Sequence, residues 1–460
     1  MTHATTVSIP SAAPSSAWLA LAFALLACHQ PAPAATATAA TGSSVYAITH
    51  VTVIDPDTGA RPDITIVIDG DRIRQVGPSA TTAIPSEAAV HEASGQFAVA
   101  GLWDAHVHVS QMTVDSIPLL IANGVTDVRD MGSDLTDIAR WRVLRRNGGL
   151  VPRVFSPGPK LDGIGTAGPD SWIVASADEA RAAVDRLHAQ GADFIKVHYR
   201  LSRAAYDAIA DECHKTGMAF AGHAADEFPP LVAIAAGQRT IEHGRMMLPC
   251  TPAQRTRVHA DPRLEFVASL CAAEDTADQI LPAMARAGIW LTPTLVSWRG
   301  LALDPASAAK LDGFRLAPAA LTKRWYDDEP SAPPGPLERE ILAQYGPLAA
   351  QAARAGVHLL AGTDIGDPFV VPGFALHDEL RLLVEAGVPP LQALRSATIE
   401  PARALGVADS LGSIAAGKAA DLVLLTADPL ADIRNTRQIS AVVLSGRWLS
   451  RTQLGALLHD

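Results

Sequence analysis

QFAVAGLWDAHVHV, residues 96–109, is the stretch from which the rest of the chain is read. Its apolar run predicts a buried strand, and it ends in two histidines, His106 and His108, one residue apart. Side chains alternate across a strand, so both imidazoles point to one side. At the mouth of a barrel they would grip one metal ion together, with further ligands supplied from elsewhere in the fold. The competing reading is a chance His-x-His pair in a chain with 15 histidines.

Around this stretch the chain changes character twice. From Val45, the runs SVYAITHVTVIDPDTG and DITIVIDGDRIRQVG are short Val/Ile-rich segments broken by turn residues, the pattern of hairpins. The far end repeats the style in DLVLLT (421–426) and ISAVVLSGRW (439–448). Chain ends commonly lie close together, so the two ends are expected to build one small composite β domain.

Between them, strand-like and helix-like stretches alternate. After the first strand come 123–131, 152–158, 193–199, 218–224, 239–244, 288–295 and 357–364, eight strands in all. This alternation predicts an α/β fold, a (β/α)8 TIM-like barrel, with HDELRLLVEAG (377–387) as its last helix. The expected division is 1–28 an export signal, 29–44 a disordered linker, 45–98 the first β part, 99–405 the barrel and 406–460 the second β part and tail.

Polar residues fall where such a barrel does its chemistry. His106, His108, Lys196, His223, His243 and Asp364 each stand near the carboxyl end of a predicted strand, the face that carries barrel active sites. His223 or His243 alone would equally serve as a hydrogen-bonded core histidine, and Asp364 as a helix N-cap. Lys196 is harder to dismiss, because a buried ammonium is costly to desolvate. Its charge would repel a metal, but its neutral amine can capture carbon dioxide to give N6-carboxylysine, an anion able to bridge two metals. His106, His108 and Asp364 would then hold one ion, and His223 and His243 the other.

The order His-x-His, Lys, His, His, Asp resembles the metal-dependent amidohydrolase superfamily. The stretches AGLWDAHVH, GVTDVRDMG, GADFIKVH, GQRTIEHG, LAGTDIGDP and LGSIAAGKAADLVLLTADPLADIRNTR resemble its imidazolonepropionase-like members, over a span from Val45 to the C-terminus. The resemblance implies a barrel flanked by a β-sandwich, with two divalent metal ions, usually zinc. Two metals would lower the pKa of a bridging water to give hydroxide near neutral pH. By resemblance, Asp364 would take the water's proton and pass it to the departing nitrogen. Gly-x-Ser-x-Gly is absent.

The expected reaction is hydrolysis of an amide C–N bond in a small molecule such as a dipeptide or N-acyl amino acid. A cyclic amide or lactone hydrolase, even a mononuclear one, and a non-catalytic envelope binding protein are the alternatives. Candidate substrate contacts are His198 and Tyr199 beside Lys196, Arg245, whose planar fork suits a carboxylate, and His377 in the family's LHDEL text. The segment 297–336, with Trp298 and Trp325, reads either as a lid or as a plain insertion. The methionines of RMMLPCTP after His243 would line a pocket or pack in the core.

Composition narrows the partners and the compartment. A formal charge of −11 and no basic cluster longer than Arg145-Arg146 argue against nucleic acid. WLALAFALLA (18–27) is too short to span a bilayer as a helix and resembles a signal-peptide core, although no Lys or Arg precedes it. LLAC, ending in Cys28, resembles a lipoprotein box, so the expected destination is the periplasm or a lipid anchor in a bacterial envelope. In that oxidising setting Cys250 and Cys271 either pair or remain buried thiols. No coiled-coil pattern or repeat points to an oligomeric state.

Overall fold

Glycine 101 divides the decisive stretch in two. Phe97–Ala100 is one strand and Leu102–Val107 another, in place of one continuous strand. A Cβ added at Gly101 would lie 2.1 Å from the Thr126 hydroxyl oxygen, so only glycine allows this approach. The computed structural model describes residues 45–165, 170–248, 250–261, 264–271, 277–327 and 335–458. The expected export segment, the linker and Cys28 lie outside them.

Both chain ends enter one mixed eight-stranded sheet. Phe97–Ala100 pairs parallel with Val45–Asp55 and antiparallel with Leu422–Leu425, so it joins the N-terminal strands to the C-terminal ones. Leu422–Leu425 then continues to Ile439–Leu444 and Arg447–Ser450. Alternating Ile and Val side chains of these strands form their own buried cluster with Ala420 and Ile414, as expected of strands with one face toward a core.

The middle of the chain forms two parallel sheets. Leu102–Val107, Val125–Asp130 and Arg153–Phe155 make one. The other contains Lys160–Asp162, Ser171–Ile173, Ile195–Val197, Phe220–Gly222, Thr240–Glu242 and Trp290–Thr292. Its first two strands were not anticipated. Helices such as Ala177–Ala189 and Arg203–Thr216 separate the strands, each capped by a serine that accepts from a backbone N–H in the first turn.

Residues 357–364 depart from the expected regular strand. They make isolated bridges only, with Leu359 beside Leu291. Leu360 N donates to Leu291 O, and Ala105 N donates to Ala361 O, so the segment links the two parallel sheets. At its end Asp104 accepts from Thr363 N at 3.0 Å and from the Thr363 hydroxyl at 2.6 Å, and Asp364 N donates to His106 O at 2.7 Å. Beyond it, Asp364 turns left-handed at φ 60°. No helix among the described residues is long and apolar enough to cross a membrane.

Candidate metal centre

His106 is the last residue but one of the strand Leu102–Val107, and His108 follows that strand directly. Both face Asp364: its Oδ1 lies 3.5 Å from His106 Nε2 and 3.3 Å from His108 Nε2. The other oxygen, Oδ2, lies 3.6 Å from His243 Nε2. One ligand atom each from His106, His108 and Asp364 falls within a 4.8 Å cluster. His223 joins from the next side, its ring centroid 4.8 Å from that of His243. Lys196 is buried, at 1% exposure, and lines the same cavity of about 630 Å3.

The backbone at this mouth is strained. His243, Thr294 and Asp364 all adopt positive φ, at 65°, 47° and 60°, a region non-glycine residues visit rarely and at a cost of order 1–3 kcal/mol each. Thr294 uses its turn to set its hydroxyl 2.8 Å from His243 Nδ1. Tight packing on the other side comes from Gly362, where an added Cβ would meet the His106 Cβ at 2.6 Å.

The donor set suits a cation. His106 Nδ1 lies 2.9 Å from Glu242 Oε2, and His108 Nδ1 lies 2.8 Å from Gly132 O. Both partners are acceptors, so each Nδ1 carries the hydrogen and each Nε2 is left as a lone pair in the neutral ring. Burial, opposed by Asp364 and reinforced by Lys196, lowers the His106 pKa to about 4. Burial also holds His223 and His243 well below the usual histidine range. Burial would raise the Asp364 pKa, and the offsetting pull of His106 and His243 acts only while those rings are protonated, so with neutral rings the carboxylate calls for another cation. Neutral imidazole nitrogens facing an ionised carboxylate place acceptor against acceptor, and a cation between them resolves the conflict. His223 Nδ1 adds a buried polar atom with no hydrogen-bond partner in the structure.

Lys196 makes no ion pair among the described residues. Burial lowers its pKa to about 8, against the raising influence of Glu242 and Asp364. Its neutral amine is therefore accessible near neutral pH.

Of the substrate candidates, three line the cavity and one does not. His198, whose Nδ1 lies 2.7 Å from Asp162 Oδ2, Tyr199 and Arg245 are on its wall. Arg245 donates to Asp226 Oδ1 at 3.2 Å and to Ser269 Oγ at 2.9 Å, and its guanidinium lies 4.8 Å from the Tyr199 ring centre. His377 is corrected: it is buried elsewhere, its ring nitrogens 3.0 Å from Thr436 Oγ1 and 3.1 Å from Asn123 O. It packs the helix Phe374–Glu385 against the chain's C-terminal part and has no nitrogen left for a substrate.

The insertion after 297 divides in the same way. Trp298 lines the cavity, stacked 4.1 Å from Tyr345, whereas Trp325 is buried with Phe369 and Val371. Met247 is core and Met246 lines a neighbouring cavity. Cys250 and Cys271 are joined in a disulfide. Sequence reasoning missed Glu242, Arg129, Lys160 and Asp226, and placed Arg200 only at the exit of its strand. Lys160, Arg200 and Asp226 are cavity residues, while Arg129 and Glu242 form a buried pair under His106. Glu242 had a signal, since a carboxylate beside His243 in a buried strand requires a partner.

An α/β fold with a histidine-carboxylate cluster at its strand ends makes a site able to hold a metal ion. The model of the amidohydrolase family matches residues 97–449. The chain belongs to the amidohydrolase family, which supports a hydrolase acting on carbon–nitrogen bonds. Bottromycin amidohydrolase is 25% identical, with a TM-score of 0.73 over 90% of this chain and 89% of that one. A Xaa-Pro dipeptidase with bound methionine in the active site is 22% identical, with a TM-score of 0.66 over 88% of this chain and 100% of its own, a likeness of fold. An adenine deaminase of Cenarchaeum symbiosum (strain A) is 32% identical over 82 residues, 17% of this chain and 14% of that relative's length.

Proposed function

We propose that this protein hydrolyses the amide bond of a dipeptide or N-acyl amino acid at a centre of two divalent metal ions, zinc by preference. The observation that carries the reading is the convergence of His106, His108 and His243 on the two oxygens of Asp364. His106, His108 and Asp364 would hold one ion; His223 and His243 would hold the other. Lys196, carboxylated on Nζ, would supply the bridging anion. Its low pKa supports this, because carboxylation joins the free amine to carbon dioxide and releases one proton.

Bound metal supplies a water of lowered pKa and polarises the scissile carbonyl. The remaining steps belong to the chain's own residues. Asp364, ionised and facing the histidines, takes a proton from the attacking water and delivers it to the departing nitrogen. Arg245 and Tyr199 orient the substrate, with the guanidinium presented toward its carboxylate.

The reading includes a closed (β/α)8 barrel with a β-sandwich from both chain ends. The bonds from 357–364 to Leu291 and Ala105 support closure on one side. On the other, Asp193 N donates to Ser156 O. It also includes export to the bacterial envelope, for which the disulfide is supporting evidence.

The test is metal content per chain, with bicarbonate present, for wild type and Lys196→Ala, followed by turnover of dipeptides and N-acyl amino acids. Near two ions in the wild type, a clear loss in the variant and amide turnover are expected. One ion in both proteins would overturn the binuclear reading.

A further inference from the structure

The metal-ligand cavity has a neighbour. A second cavity, about 570 Å3, is lined by Met246, Pro252, Arg255, Thr256, His259, Ala268 and Cys271, and it shares Asp226 and Ser269 with the first. Those two shared residues are both held by one guanidinium, that of Arg245. The two cavities thus meet at an Arg245-centred cluster, with the metal ligands on one side and Met246 on the other.

The chemistry of the two compartments differs. Lys160, Arg200 and Arg245 bring three cationic side chains to the wall of the first cavity, beside Asp364, Asp367 and Asp226, the last paired with Arg245, and the guanidinium forks suit a carboxylate. In the second, Met246, Pro252, Ala268 and Cys271 supply an apolar part of the wall, beside Arg255, His259 and Asp226. Several of its polar groups are already engaged. The Thr256 hydroxyl donates to Pro252 O at 2.9 Å, Arg255 donates to Cys250 O at 2.6 Å, and the Ser269 hydroxyl accepts from Arg245. The apolar part of this wall gains from burial against a hydrocarbon chain.

The wall is also braced. Cys271 is bonded to Cys250, and it bridges Leu248 in β fashion. This ties the loop after His243 to the segment that carries Ala268 and Ser269.

We propose that the second cavity is a subsite for the apolar acyl chain of an N-acyl amino acid whose carboxylate is held among the cations of the first. This rests on the amide-hydrolase reading of the metal centre and narrows it, from dipeptides and N-acyl amino acids together to acyl chains longer than acetyl.

The experiment compares acetyl, hexanoyl and decanoyl derivatives of one amino acid. It reads kcat/KM on metal-loaded wild type and, by calorimetry, Kd on metal-loaded Asp364→Asn, which binds without fast turnover. One buried methylene is worth about a fourfold gain, so a decanoyl-to-acetyl preference of at least about tenfold is expected in both readouts, allowing for partial burial. Ala268→Trp fills the cavity and should bring that ratio below about threefold. Thr256→Trp, on the facing helix Pro252–Ala260, repeats the test if the first variant does not fold. A ratio near one in the wild type, or a ratio unchanged in the folded Trp variants, overturns the subsite. If no amide is turned over, the amide-hydrolase reading fails, and the Kd series still judges the subsite.

Discussion

The guanidinium of Arg129 and the carboxylate of Glu242 meet at 2.8 Å, both fully buried, directly beneath a metal-ligand candidate. The same Glu242 oxygen lies 2.9 Å from His106 Nδ1. Arg129 is fixed in turn by Ala105 O at 2.6 Å and by the hydroxyls of Thr240 and Thr292. Burial alone would raise the Glu242 pKa, but Arg129 and His106 outweigh it and hold the carboxyl well below its ordinary range. An ionised Glu242 fixes which His106 nitrogen carries the hydrogen, and so which one is free to bind.

Glu242→Gln keeps the shape and removes the charge. Metal affinity, measured by chelator competition, should fall about 10–100-fold, the usual effect of losing such a partner. The melting temperature should fall as well, because breaking a buried ion pair from one side costs about 3–5 kcal/mol. Unchanged metal affinity would mean that His106 is not a ligand.

Asp364→Asn removes a metal ligand and the proton carrier together, so its metal content per chain is checked before the proton-transfer role is read. Asparagine tolerates the left-handed backbone found here, φ 60°, so this variant adds little strain where alanine would add more. With metal saturating, kcat should fall about 10²–10⁴-fold, the range of a lost general base. Circular dichroism should show an unchanged fold. A drop of less than about threefold would assign the proton transfer to another group.

Much of this site is legible in the sequence, because its residues break a local rule. Two histidines at strand spacing and a lysine inside an apolar strand are expensive unless something compensates for them, and the compensation is the site. What is not legible is the pairing of residues far apart in the chain. Arg129 and Glu242 are 113 positions apart, and neither shows its partner locally. His377 misleads for the opposite reason: it stands within a motif, but the motif's work is packing, through Thr436 and Asn123. Residues 357–364 carry a strand's apolar pattern, and backbone bonds to Leu291, Ala105 and His106 hold them between the two sheets without a regular ladder.

The disulfide predicts a stability effect. Cys250 and Cys271 close a loop with a sequence separation of 21, for which chain entropy gives about 3 kcal/mol. Cys271→Ser should lower the unfolding free energy by an amount of that order. A reductant should lower the melting temperature of the wild type and leave that of the variant unchanged. Equal sensitivity in the two proteins would show that the bridge does not form.

Glu400 predicts a pH dependence away from the metal centre. Burial would raise its pKa, but His358, Arg395 and Trp290 outweigh this and bring it down to about 2. Arg395 donates to Oε1 at 2.8 Å and Arg403 at 3.0 Å, while the Trp290 indole N–H donates to Oε2 at 3.0 Å. A carboxyl whose folded pKa is depressed adds stability above its unfolded pKa of about 4.3 and loses it as pH falls through the folded value. The contribution is on the order of 2–3 kcal/mol. Urea unfolding of wild type and Glu400→Gln should therefore differ by about that much at pH 7, with the gap narrowing from about pH 5 toward pH 2. A gap that stays constant over this range would mean that Glu400 acts through its shape and hydrogen bonds, not its charge, since only the charge is titrated away as the pH falls.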